Sequence, residues 1–312
     1  MSHGLRTLNL DFINMAVYQT YDASTNHEDL TDVLTKIGDM TTPVYSKLRK
    51  VAAKNTIHEW STYTHDTAAD NAQVEGAIYT YGTLTAPQRL SNYTQIFRKT
   101  FQVSNTQQAV DPAGMEDEYA FRVQVALEAI GRDIEKALIN GTANSGASGT
   151  GRRLKGILAF ITTNVSTGYA GASGATGSGR NISEGELNKL IQDCYSNGGR
   201  PEWLLGSYTQ VNKLAQLMSG MRSYNDGNKE FTSSMLVYSS PFGRLAVEGD
   251  SQIPDDTLTV LQKDMWAVAQ LRPVKKIDTP ETADAKNGVL IGELTLEARA
   301  EAMNGKATGL AV

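Results

Sequence analysis

The sequence predicts an α+β chain built from an extended polar ribbon, one long amphipathic helix and a compact α/β unit, and three observations predict it. Residues 86–104, from Ala86 to Ser104, place apolar and polar side chains on alternate positions, as a half-buried strand does. Residues 111–141 repeat apolar side chains at three- and four-residue steps between Asp111-Pro112 and Gly141, which is the period of one helix. Residues 183–271 alternate helical and strand patterns at an ordinary composition.

Residues 1–40 are polar and irregular, with scattered Leu8, Leu10, Phe12, Ile13, Met15 and Val17 and a short helical pattern at Leu30, Val33, Leu34 and Ile37. A terminus of this kind is ordered only when it is tied down, for example on a neighbour. Thr42-Pro43-Val44-Tyr45 predicts a short helix with proline in its first turn, where the missing N–H costs nothing. Residues 55–64 read as a strand from their β-branched and aromatic content, and a polar excursion from His65 to Thr85 follows. The return strand at 88–104 sets Tyr93, Gln95, Phe97, Lys99, Phe101 and Val103 on one face. The pair makes a long hairpin with an open tip. Two strands alone are marginal in water, so this hairpin requires a docking surface.

In the helix, Met115, Tyr119, Val123, Ala126, Ile130, Ile134, Ala137 and Leu138 define one apolar stripe. Pro112 and the acidic run Glu116-Asp117-Glu118 suit its positive end, and Gly141 stops it. Glu118 with Arg122, and Glu128 with Arg132, have ion-pair spacing. Ten of the 28 glycines fall in 141–179, around an apolar segment at 156–161 that reads as a buried turn or strand. A capping box, Ser183-Glu184-Gly185-Glu186, then opens a helix through Leu187, Leu190, Ile191 and Cys194. A strand at 202–206, a helix at 208–218 and strands near 234–248 and 257–271 follow. Val289 to Arg299 is strand-like and is placed to rejoin the first half.

Composition and motifs give no support to catalysis. Net charge is −5, which does not mark a nucleic-acid-binding surface. Cys194 is the single cysteine, so no disulfide framework or multi-cysteine metal site is available, in keeping with a reducing cytosol. The N-terminus lacks a secretory pattern, and no apolar run approaches the roughly 20 residues that span a bilayer. Gly149-Thr150-Gly151-Arg152-Arg153-Leu154 has leucine where a dinucleotide fingerprint needs its third glycine, and it follows a helix rather than a strand. His3, His27, His58 and His65 lack zinc spacing and read as surface residues, while Cys194 reads as a buried inert thiol. No catalytic residue, cofactor or metal ligand is expected. The basic groups Lys47/Arg49/Lys50/Lys54, Arg98/Lys99, Arg152/Arg153/Lys155 and Arg272/Lys275/Lys276 read first as solvated faces. In an assembly they would instead meet a neighbour's acidic patch, such as Glu116 to Glu118.

The order of these parts, together with the stretches 71–76, 83–100, 132–138, 152–158 and 295–301, resembles tailed-bacteriophage major capsid proteins of the HK97-like fold, in the group related to phage SU10. The likeness spans nearly the whole chain and is most specific in its first half. It implies an N-terminal arm at 1–53, an extended β-hairpin loop at 54–106 and a spine helix (about 111–141) with a peripheral domain at 107–182. It further implies an axial domain at 183–271 and C-terminal strands at 272–312 that return to the peripheral and axial domains. The implied function is structural: self-assembly into hexamers and pentamers of an icosahedral head enclosing double-stranded DNA, held only non-specifically. Implied partners are further copies of the chain and scaffolding and portal proteins, with no membrane and no small-molecule substrate. The implied place is the virion capsid, assembled in the host bacterial cytoplasm. Alternative readings are the shell of an encapsulin-type compartment, a decoration or tail protein, and an unrecognised hydrolase.

Overall fold

The computed structural model describes residues 42–63, 68–78, 81–82, 85–110, 117–167, 179–219, 237–280 and 283–312. The expected arm before residue 42 lies outside the described residues, as do Pro112, Met115, Glu116, His3, His27 and His65. In chain order the elements are α1 (Pro43–Lys47), β1 (Arg49–Ala52), β2 (Ile57–Thr62), β3 (Gln88–Tyr93), β4 (Gln95–Ser104) and α2 (Asn105–Ala109). Then come α3 (Glu118–Asn140), α4 (Ile157–Phe160), β5 (Asn164–Ser166), α5 (Glu184–Ser196), β6 (Trp203–Gly206) and α6 (Tyr208–Ser219). The chain continues with β7 (Val237–Ser240), β8 (Gly243–Gly249), β9 (Leu258–Leu261), β10 (Trp266–Thr279), β11 (Ala285–Ala298) and β12 (Gly305–Ala307).

These strands form a four-stranded sheet in the order β1-β10-β11-β4, a six-stranded sheet in the order β5-β12-β9-β6-β8-β7, and the two-stranded ribbon β2-β3. The expected return strand is thus divided at Thr94: β3 pairs with β2 in the ribbon, and β4 pairs with β11 in the main sheet. Its expected face holds, with Phe97 and Val103 buried and Arg98, Thr100 and Gln102 exposed.

The long helix α3 starts at Glu118 and not at Pro112. Asp117 has an extended backbone and its carboxylate accepts the N–H groups of Tyr119 and Ala120, at 2.8 and 3.2 Å, so it is the N-cap. Tyr119, Ala126, Ile130, Ile134 and Leu138 are buried along the expected stripe. Ala126, Ile130, Ile134 and Leu138 meet Phe97, Leu154, Ile157, Trp266, Leu290, Leu294 and Leu296 in one core cluster, while Tyr119 lies against the Phe101 ring. Each large aliphatic side chain buried there contributes about 1.5–3 kcal/mol. The apolar segment at 156–161 is the short helix α4 against α3.

A second cluster joins Leu187, Leu190 and Ile191 of α5 to Leu204, Leu245, Leu258 and Val260 of the six-stranded sheet. Strand β6 is buried on both faces: Trp203 and Leu205 point into the first cluster, Leu204 into the second. The two units therefore share a wall.

The stretch expected as one strand at 257–271 is broken by a 3-10 turn at Lys263–Met265. The part before the turn, β9, stays in the six-stranded sheet, while β10 crosses to the four-stranded one. In exchange the six-stranded sheet takes β5 and β12 from outside 183–271. Gly305 makes this insertion possible, because a Cβ there would come within 2.8 Å of Leu190 and 3.2 Å of the Cys194 sulfur.

All three tryptophans satisfy their indole N–H groups, with Trp203 and Trp266 fully buried and Trp60 half-buried. Trp60 donates to the Ala298 carbonyl at 2.8 Å, Trp203 to Glu248 at 3.0 Å and Trp266 to Asn304 at 2.9 Å. Asn304 is fully buried and also accepts from the Gln262 N–H at 2.8 Å, so its carboxamide clips the β9–β10 crossover in place.

Candidate assembly surface

The ribbon is the part of the molecule with least support from its own chain. Strands β2 and β3 pair antiparallel from Ile57↔Tyr93 to Thr62↔Gln88, and nearly every residue of β3 before Asn92 is exposed. Beyond the paired region Val74, Ile78 and Tyr81 are 81, 92 and 96% exposed. These aliphatic and aromatic side chains stand exposed on an otherwise polar stretch.

The base of the ribbon is fastened with buried polar groups. Asn92 is 2% exposed, and its carboxamide pairs with the Lys155 backbone in both senses: Lys155 N–H donates to Oδ1 at 2.8 Å, and Nδ2 donates to the Lys155 carbonyl at 3.1 Å. Nδ2 also donates to the Leu296 carbonyl at 2.8 Å. Strand β4 stops pairing with β11 at Gln95↔Leu294, so Asn92 continues the ladder one step past the strand's end. Thr94, at the break between β3 and β4, donates its N–H to Thr56 at 2.9 Å and its hydroxyl to Glu293 at 2.7 Å.

Glu293 gathers three more donors: Arg152 at 2.8 Å, and Arg272 through Nη2 at 3.0 Å and Nε at 3.2 Å. Burial alone would raise this carboxyl, but the Thr94, Arg152 and Arg272 hydrogen bonds outweigh it and hold Glu293 below the ordinary glutamate value. A second buried glutamate, Glu297, takes His58 at 3.0 Å and Arg299 at 2.7 Å. Here too burial works upward, and the bonds from His58 and Arg299 bring the carboxyl below its usual range. His58 is therefore not a surface histidine: it stacks beside Trp60 and ties β2 to β11.

Several of the basic side chains also have partners within the chain. Lys47 pairs with Glu248 at 2.5 Å, Lys99 with Asp133 at 2.7 Å and Lys276 with Asp278 at 3.1 Å. Lys50 lies over the Tyr45 ring at 4.6 Å and Lys155 over Phe160 at 4.6 Å. Lys47, Lys50 and Lys276 nevertheless remain exposed, as expected of solvated faces, whereas Lys99 and Lys155 are half-buried; only Lys47 and Lys99 draw their partner from a distant stretch of the chain. The expected acidic partner patch is also used internally, with Asp117 capping α3 and Glu118 buried and bonded to Arg122 at 2.7 Å.

Cys194 is wholly buried, and burial pushes its thiol up to about 12, so it stays protonated and unreactive in the folded chain. Among the described residues no group of three His, Cys, Asp or Glu side chains is placed to hold a metal ion. A cavity of about 670 Å³ lies between 163–167 and α5, where Arg180 bonds Glu186 at 2.6 Å and Ser166 Oγ at 3.2 Å. These contacts position the strand β5 against α5.

The comparisons with known proteins agree with this architecture. The capsid subunit of cyanophage A-1(L) superposes with a TM-score of 0.70 at 14% identity, covering 94% of this chain and 99% of that one. The capsid protein of a native GTA particle gives 0.63 at 12% identity over 94% and 98%, and the SrpI encapsulin of Synechococcus elongatus PCC 7942 gives 0.60 at 9% over 95% and 97%. The fold is that of the HK97-type shell subunits. The chain belongs to the SU10 major capsid protein family, whose model matches residues 15–311. The major capsid protein of Escherichia phage Phieco32 is 28% identical over 133 residues, which is 42% of this chain and 38% of that relative's length.

Proposed function

We propose that this chain is the structural subunit of an icosahedral phage head, assembling as hexamers and pentamers around double-stranded DNA. The observation that carries the reading is the ribbon: a firmly anchored base supports a tip whose Val74, Ile78 and Tyr81 are left exposed. Laying that tip on the next subunit buries the apolar groups and gives the two-stranded ribbon the third surface it needs. The role is structural rather than catalytic. Scaffolding and portal proteins are the other expected partners, assembly takes place in the host bacterial cytoplasm, and DNA contact is non-specific at the net charge of −5. The stretches before α1, around β2-β3, over α3 and around the six-stranded sheet then serve as arm, extended loop, spine and axial domain.

The encapsulin likeness supports a second reading, a cellular compartment shell, at the level of fold. Electron microscopy of the chain expressed with and without residues 66–84, alone and with a scaffold candidate, tests the assembly role. The full chain is expected to close into shells, and the deleted chain to remain folded and soluble without closing. Normal shells from the deleted chain would overturn the interlocking role of the ribbon. DNA-filled particles from infected cells support the phage head, whereas particles filled with protein cargo would support the compartment.

A further inference from the structure

Besides Glu118 at its start, the buried face of α3 carries a second acid. Glu135 is completely buried, and its two oxygens accept the N–H groups of Val44 and Tyr45, at 2.7 and 2.8 Å, in the first turn of α1. Facing it is Asp250, the residue after β8, also completely buried. Asp250 Oδ1 accepts the Gln252 N–H at 2.8 Å, while Oδ2 has no ordinary donor within reach. Asn140, further along α3, donates to the Gln252 carbonyl at 2.5 Å and so holds the turn after β8 on the helix, with the Glu135 and Asp250 carboxyls in reach of each other. Two carboxylates have only acceptors, so a bond between them requires that one carry a proton.

We propose that Glu135 and Asp250 share a single proton and form a latch that fastens the segment at 42–48 and the turn after β8 onto the long helix, releasing both when that proton is lost in mild alkali.

The surroundings favour holding the proton. Burial raises Glu135 to about 8, the bond to Asp250 adds to this, and the Tyr45 and Val44 N–H groups pull back only in part. Burial raises Asp250 as well, with the Gln252 N–H and Glu135 opposing. The charged groups near the pair are Glu248, which adds repulsion at Asp250, and Lys47, which is engaged with Glu248 at 2.5 Å. Glu248 also accepts the Trp203 indole N–H at 3.0 Å. On α3 the neighbouring Asp133 pairs with Lys99 at 2.7 Å and Lys136 is exposed. On α1 and beyond, Lys50 lies over Tyr45 at 4.6 Å. Among the described residues no cation is paired with either acid.

The direction of the pH effect follows from the raised value. An unfolded glutamate loses its proton near 4.3, whereas burial holds the Glu135 proton in the native state well above that value. Between the unfolded and native values the native state binds more protons, so stability falls as pH rises and the loss is complete above the upper value. Strand β1 remains hydrogen-bonded to β10 throughout, which confines the release to α1 and the 250 turn.

The test uses the full-length chain. Infrared absorption of protonated carboxyl groups at about pH 7 selects acids with raised values, because ordinary Asp and Glu are ionised there. The wild type is expected to show one such band that disappears toward about pH 9, with protection of the Val44 and Tyr45 amides falling by at least about tenfold beyond the intrinsic exchange rate. Glu135→Gln supplies a permanent donor to Asp250 Oδ2 but leaves a single acceptor for the Val44 and Tyr45 N–H groups, so the band and the excess pH dependence should both vanish while one of the two amides loses protection at every pH. Asp250→Asn donates to Glu135 and should return its ionisation to acid pH, again removing the band. A wild type without the band, or a band that survives both substitutions, overturns the proposal. If Glu135→Gln does not fold, the wild-type spectrum and Asp250→Asn decide the matter.

Discussion

Replacing Asn92 by alanine should cost about 3 kcal/mol, and the structure shows where that figure arises. The substitution leaves the Lys155 N–H, the Lys155 carbonyl and the Leu296 carbonyl without the partners they hold at 2.8, 3.1 and 2.8 Å. Each unsatisfied buried group costs about 1–3 kcal/mol, and water entering the vacated space recovers part of the sum. At about 2 °C per kcal/mol for a chain of this size, the expected fall in Tm is about 6 °C. Asn92→Asp should be worse than Asn92→Ala. It keeps the acceptor for Lys155 but aims an anion at two carbonyl oxygens in place of the donor they need. Denaturant unfolding of the dispersed subunit gives the free energies, and amide exchange at Lys155 reports the local loss. A cost below about 1 kcal/mol for alanine, or an aspartate better tolerated than alanine, would refute the claim that Asn92 extends the β11 ladder.

Two other perturbations probe the helix stripe and the glutamate clamp. Ile130→Asp places an unpaired carboxylate at a position that is 2% exposed and should cost at least about 4 kcal/mol, so an unchanged Tm would contradict the stripe. Glu293 has a lowered native value, so its contribution is complete above the unfolded value near 4.3 and is lost as pH falls through the native one. Glu293→Gln should weaken the fold near neutral pH, where Arg152 and Arg272 lose their counter-charge, and should flatten the acid limb of the stability profile. An acid limb identical to wild type would place that stability elsewhere.

What the sequence makes legible is what has a period or a local cap. The stripe of Ala126, Ile130, Ile134 and Leu138, the inward face of β4 and the Ser183 cap, whose hydroxyl accepts the Glu186 N–H at 3.2 Å, all follow from neighbours within a few positions. Pairings across the chain were not legible. His58 and Glu297 lie 239 residues apart, and Lys47 and Glu248 lie 201 apart, so nothing local tells a cation that it has an acid waiting. Glu135 left one signal that was available, since it sits beside Ile134 and four residues from Ile139 on the buried face, where a charge needs a reason. The division of 257–271 between two sheets had no such signal, because β9 and the first residues of β10 are equally apolar and only their partners differ.

The seating of β12 between β5 and β9 has a consequence for the order of events at the ribosome. The six-stranded sheet draws adjacent strands from 164–166, 305–307 and 258–261, so its edge strand β5 has no partner in the sheet while most of the chain has already been translated. Gly305 must leave the exit tunnel before α5 and the sheet can close on each other. A nascent chain therefore exposes its ribbon long before its second core is finished, and closure of that core becomes a late checkpoint on which polypeptides are fit to join a growing lattice.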